Sequence, residues 1–178
     1  MKATGIVRRI DDLGRVVIPK EIRRTLRIFE GDALEIFTDA QGGVTFKKYS
    51  PVGELAAFAE QYAEVLSNVT GKPSVICDKD HVIAAGISRK EYIGRRVSVE
   101  LDDYLQEQKS YICKENDEKL YPIEGIDKVA GVVYPIVVSS EIMGAVVLLQ
   151  DDEFTPANES EEKLTRAAAS FLSKQMEK

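Results

Sequence analysis

Over the first fifty positions the apolar residues come in short extended runs, and beyond them the pattern lengthens into helical spacing and continuous apolar stretches. Residues 5–10 and 15–18 are β-branched runs predicting two strands, and Asp11-Asp12-Leu13-Gly14 between them is a turn whose glycine takes positive φ. Pro19 suits the first position of a helix, and Ile22 and Leu26, four apart, give it one apolar face with Arg23, Arg24 and Arg27 off that face. Glu30-Gly31-Asp32 is expected to end this helix. Leu34 and Ile36 then alternate with Glu35 and Phe37, and residues 39–43 turn the chain into an extended run over 44–49. The head therefore reads as two strands, a short helix and two more strands.

Ser50 and Pro51 have the chemistry of an N-cap and first helical residue, and Leu55, Phe58, Tyr62, Val65 and Val69 follow at spacings of 3, 4, 3 and 4 before Gly71 and Pro73 stop the helix. That seam either pairs with a second chain, the favoured reading, or docks on its own domain. The expected division is a head over 1–50, a linker or oligomerisation helix over 51–71 and a body over 72–178. In the body, residues 74–77 and 82–85 are strands around the turn Asp78-Lys79-Asp80-His81, and Ser88-Arg89-Lys90-Glu91 has capping-box spacing for a short helix. A helix over 99–108 turns Leu101 and Leu105 inward. After an extended stretch at 110–114, residues 128–138 and 142–149 are central antiparallel strands joined at Ser139-Ser140-Glu141. Thr155-Pro156 is expected to cap a last helix whose stripe of Leu164, Ala168, Phe171, Leu172 and Met176 bundles with the helix from Pro51. The fold class is α+β.

Composition changes this picture through its uneven charge. The 178 residues are 44% hydrophobic and carry a formal charge of -6, which argues against a polyanion partner if the chain is taken as one object. Residues 1–50, however, hold 10 Lys and Arg against 7 Asp and Glu, net +3, which leaves 14 against 23, net -9, for residues 51–178. A basic head on an acidic body suits a chain of which only one part approaches a phosphate backbone. About fifty residues bury too little to be stable alone without staples, so the head is expected to be an obligate dimer.

Other chemistries are sparse. No apolar run approaches the roughly 20 residues that span a bilayer, so a cytoplasmic, nucleoid-associated protein without membrane contact is expected. Cys77 and Cys113 are far apart and read as reduced, buried thiols. The one histidine, His81, sits in a polar turn, so no metal-ligand cluster exists, and neither G-x-S-x-G nor a phosphate-binding glycine loop is present. Asp102-Asp103 and Asp151-Asp152 read as solvated charge; no catalytic residue and no enzyme activity are expected.

The head contains, in order, Thr4-Gly5-Ile6-Val7-Arg8-Arg9, Leu13-Gly14-Arg15-Val16-Val17-Ile18-Pro19, Glu21-Ile22-Arg23-Arg24-Thr25-Leu26 and Asp32-Ala33-Leu34-Glu35-Ile36. In these residues it resembles the AbrB-type swapped-hairpin DNA-binding domain of bacterial transition-state regulators. The resemblance implies that two chains exchange hairpins to close one intertwined β-barrel and that Arg8, Arg9, Arg15, Arg23 and Arg24 contact double-stranded DNA. Lys2, Lys20 and Arg27 are weaker candidates, chosen for charge and proximity. The body, with the pair Tyr134-Pro135-Ile136 and Met143-Gly144-Ala145-Val146-Val147-Leu148, looks like a GAF domain. Head and body together resemble sporulation-stage transcription regulators of spore-forming Bacillus-type bacteria, which implies an activator and repressor that is a tetramer of two head dimers. No cofactor is expected. A GAF-type body either encloses a small-molecule ligand, with Cys77, Tyr92, Tyr104, Tyr111, Tyr134 and Met143 as candidate lining residues, or has a filled core that serves oligomerisation. An alternative for the whole chain is an antitoxin with a DNA-binding head, whose remainder would be a short acidic tail that folds on its partner.

Overall fold

The computed structural model describes residues 4–115, 117–151 and 155–177, and the chain divides after Tyr49 into two compact units. In the first unit, Asp11 builds the expected turn. Its backbone N–H donates to the Arg15 carbonyl at 3.0 Å, Gly14 N–H donates back to Asp11 O at 3.0 Å, and Gly14 takes a φ of 76°. The segments on either side form no strands, contrary to the expectation for 5–10 and 15–18. Their apolar side chains are uncovered, with Val7 84%, Ile10 71%, Leu13 69% and Val17 71% exposed. A hairpin with neither a neighbouring strand nor a covered face does not hold a ladder by itself.

Helix α1 (Lys20–Thr25) starts one residue later than expected, with Pro19 as its N-cap. It ends well before Gly31. Arg27 adopts a left-handed φ of 52°, Arg27 N–H donates to Arg24 O at 3.3 Å and Ile28 N–H to Arg23 O at 2.8 Å, the paired bonds of a Schellman stop. Strands β1 (Leu34–Thr38) and β2 (Val44–Lys48) pair antiparallel, with Ile36 opposite Phe46.

The second unit begins with two helices where one was expected: α2 (Pro51–Glu54), capped by Ser50 Oγ accepting from Gly53 N at 3.1 Å, and α3 (Ala56–Thr70). They pack into this unit's core through Val52, Ala59, Ala63 and Leu66. There follow β3 (Ser74–Asp78), β4 (Val82–Ala85), α4 (Arg89–Tyr92), α5 (Val99–Gln106), β5 (Tyr111–Ile112), β6 (Ala130–Val138), β7 (Glu141–Leu149) and α6 (Glu159–Met176). The strands form one antiparallel sheet in the order β4-β3-β7-β6-β5. Continuous apolar runs in β6 and β7 reflect a sheet buried on both faces. On one face lie α2, α3 and α6, over Ile76, Val132, Ile136, Val146 and Leu148. Against the other pack Tyr92 of α4 and Leu101 and Leu105 of α5, over Val75, Cys77, Val133 and Val147.

Three local expectations for the body are corrected. Ser88 precedes α4 in a left-handed conformation, φ 50°, from which its hydroxyl makes no cap. The cap of α6 is Asn158 rather than Thr155-Pro156: its side chain accepts from Glu161 N at 3.0 Å while Glu161 Oε2 accepts from Asn158 N at 3.0 Å. Within α6, Ala168 and Leu172 are buried and Phe171 packs beside them, but Leu164 is 36% exposed and Thr165 and Ala169 take the inward positions.

Candidate nucleic-acid interface

The sequence places the head's cations on three short pieces. Arg8 and Arg9 precede the Asp11 turn and are exposed; Arg8 Nη1 donates to the neighbouring Val7 carbonyl at 3.2 Å. Arg15 follows the turn with its side chain 70% exposed. Asp11 fixes it: Oδ1 accepts from Arg15 N at 2.7 Å and from Leu13 N at 3.0 Å, while Oδ2 accepts from Arg15 Nε at 2.8 Å. These bonds, led by the Arg15 backbone N–H and then its guanidinium, hold the Asp11 carboxyl below its usual range. One carboxylate therefore shapes the turn and orients a candidate DNA contact, a role the sequence signalled only as turn chemistry.

Arg23 and Arg24 occupy the last turn of α1, where cations favour the negative end of the helix dipole. Arg24 and Lys20 are exposed; Arg23 and Arg27 are half-buried. Lys2 lies outside the described residues, as does Asp152 of the acidic pair. Two head cations absent from the expected set, Lys47 and Lys48, have other work. Lys47 Nζ sits 4.7 Å from the Phe37 ring centroid, and Lys48 Nζ pairs with Asp32 at 3.4 Å and lies 5.8 Å from the Phe29 ring.

In the body, the expected helical seam is split. Leu55 and Tyr62 are half-buried, Tyr62 against Phe171 with ring centroids 5.1 Å apart, whereas Phe58 is 49%, Val65 58% and Val69 63% exposed. The face that docks on the sheet is the neighbouring one.

The candidate ligand-lining residues also separate. Cys77, Tyr92, Tyr104 and Tyr111 lie on the α4–α5 face, with Tyr104 edge-on to Tyr111 at 5.6 Å. Tyr134 and Met143 pack on the opposite face, so the six do not line one pocket. Cys77 and Tyr92 are closed into the core at 1% and 2% exposure. Both cysteines are free and buried.

A small basic head whose turn segment leaves its apolar side chains uncovered is followed by a five-stranded antiparallel sheet carrying helices on both faces. A family model described as stage V sporulation protein T C-terminal, transcription factor, matches residues 54–177. Stage V sporulation protein T of Bacillus subtilis (strain 168) is 48% identical over 180 residues, covering 99% of each chain. The chain belongs to the stage V sporulation protein T family. Residues 7–53 match a model described as antidote-toxin recognition MazE, bacterial antitoxin. The transition state regulatory protein AbrB of the same organism is 63% identical over 51 residues, covering 29% of this chain and 52% of that protein. Among solved structures, a GAF domain from an Acinetobacter phosphoenolpyruvate-protein phosphotransferase has a TM-score of 0.52 at 10% identity, covering 73% of this chain and 84% of that one, which speaks to the fold of the body.

The antitoxin alternative gives way at this point. Residues beyond Tyr49 form a packed domain with two hydrophobic cores, rather than a short acidic tail, and carry the sporulation-regulator match. No helix among the described residues is long and apolar enough to cross a membrane.

Proposed function

We propose that this sporulation transcription regulator binds duplex DNA through a dimer in which two heads exchange their hairpins, presenting Arg8, Arg9, Arg15, Arg23 and Arg24 twice. The observation that carries the reading is the hairpin itself, whose apolar residues Val7, Ile10, Leu13 and Val17 stand uncovered on the same segments as three of the arginines. A second hairpin would cover them and leave the guanidiniums facing outward. Arginine forks onto phosphates and onto guanine edges, so both positioning and base reading are within reach of this set.

The exposed part of the α3 seam is the surface on which dimers pair into a tetramer. The body sets that assembly and responds to a small molecule, so the protein acts as a cytoplasmic, nucleoid-associated regulator without catalysis. Replacing Arg8 and Arg24 together by Ala leaves a folded oligomer that no longer shifts promoter DNA at moderate salt. Undiminished binding by the double variant would sink the assignment of the head.

A further inference from the structure

Of the five candidate DNA-contacting arginines, Arg15 is the one whose guanidinium a carboxylate holds among the described residues. Its Nε donates to Asp11 Oδ2 at 2.8 Å, its backbone N–H donates to Asp11 Oδ1 at 2.7 Å, and its carbonyl accepts from Asp11 N at 3.0 Å. Leu13 N, donating to Oδ1 at 3.0 Å, and Gly14 N, donating to Asp11 O at 3.0 Å, close the same turn. The end of the Arg15 side chain is exposed, and neither Nη makes a hydrogen bond among the described residues.

An exposed ion pair adds little to stability, so the effect of Asp11 falls on what Arg15 can offer a partner. With Nε occupied, the guanidinium presents the parallel N–H bonds of Nη1 and Nη2 end-on, from a turn fixed by its own hydrogen bonds. That fork fits the O6 and N7 acceptors of guanine in the major groove; at adenine it meets the N6 amino group, a donor, in place of O6. A phosphate is a poorer match. The pair is close to neutral, and a phosphate oxygen beside Arg15 also meets the Asp11 carboxylate. Arg8, Arg9, Arg23 and Arg24 have no carboxylate partner among the described residues, so their charge is fully available to the DNA backbone.

We infer that Asp11 positions Arg15 to read a guanine edge, while Arg8, Arg9, Arg23 and Arg24 hold the head on phosphates, an assignment that rests on reading the head as a DNA-binding dimer. Arg15 is then the residue that sets sequence preference, and two-fold symmetry places one guanine under it in each half-site. Asp11 is a positioning residue. It acts on the DNA only through the side chain it holds.

The test uses the full chain, a duplex that the wild type selects from a random-sequence library, and a scrambled duplex of the same composition, with affinities read by fluorescence anisotropy. Placing 7-deazaguanine, which lacks N7, at one guanine of both half-sites should weaken the wild type about tenfold. In Arg15→Ala, whose backbone keeps the turn bonds, affinity for the selected duplex falls about tenfold, affinity for the scrambled one is nearly unchanged, and the 7-deazaguanine effect vanishes. Asp11→Asn keeps an oxygen for the Leu13 and Arg15 N–H groups but turns a donor toward Nε. It should hold the scrambled duplex at least as tightly as the wild type does, while its preference for the selected duplex falls about tenfold. An equal loss on both duplexes in Arg15→Ala would make Arg15 a phosphate contact and overturn the inference. An unchanged preference in Asp11→Asn overturns it too, by leaving Asp11 only the turn. A wild type that binds DNA with no sensitive guanine rejects Arg15 as the reader and leaves the head's assignment standing, whereas undiminished binding by Arg8→Ala with Arg24→Ala rejects both.

Discussion

Cys77 shows how far a single side chain is ruled by its surroundings. It is fully enclosed between β3, β7 and the α4–α5 face, its Sγ lying 3.6 Å from the Ala145 carbonyl. Burial, with a smaller push from the Asp78 charge, moves the thiol from its ordinary value near 9.0 up to about 12. Because the folded value is the higher one, the unfolded chain ionises first, so the stabilising effect is complete below about pH 9 and is lost as pH rises toward the folded value. Between those limits Cys77 removes up to about 1.4 kcal/mol of stability per pH unit. The urea midpoint of Cys77→Ala should accordingly fall less between pH 8 and pH 10.5 than that of the wild type; equal falls would mean that the thiol is not closed in. At this scale the sequence was readable wherever chemistry is local. Asp11 and Gly14 announce their turn, but Ser88 fails to cap α4 and Asn158 caps α6 in place of Thr155-Pro156, because backbone conformation decides whether a side-chain oxygen reaches a helix end.

Among the elements, the paired strands β6 and β7 were legible because a run of apolar residues that long has no stable place except inside a sheet covered on both faces. Helix α3 was legible as a helix, and less so in what its faces do. Its heptad spacing and its inward face of Ala59, Ala63 and Leu66 overlap, and only the packing on β3 and β4 separates the residues committed to the core from Phe58, Val65 and Val69. Those three are exposed, so substituting them leaves the body's core intact. Phe58→Ser with Val65→Ser should change the unfolding free energy by no more than about 0.5 kcal/mol, while light scattering should fall from the proposed tetramer to a dimer. A tetramer that survives would place the contact between dimers elsewhere. The segments on either side of the Asp11 turn were expected as strands on sound propensity, and they form no ladder because a strand is a property of a pair.

For the whole molecule, the decisive quantity is the charge that the two units carry separately, +3 against -9. In the proposed dimer, with five arginines in each of two heads, up to about ten phosphate contacts would be available, and each adds roughly -0.9 to the slope of log affinity against log salt. A titration series from low to moderate salt should give a slope approaching -9. Arg8→Ala with Arg24→Ala should shrink it by about 3.6 if all four removed groups met phosphates, and by less for each that reads a base. A slope near zero would show that the basic head does not meet the DNA backbone.

What the sequence determined by itself was everything set by neighbouring residues and by apolar periodicity: a basic head, the Asp11 turn, the strands of the body, its helices and the division of charge. Those signals survive without context because they arise from backbone chemistry and from the need to bury apolar runs. Tertiary structure alone decided the assignments that depend on distant partners. It put Tyr134 and Met143 across the sheet from Cys77 and drew α2 and α3 into the body. Burial and pairing belong to two surfaces at once, and one stretch of chain specifies only its own.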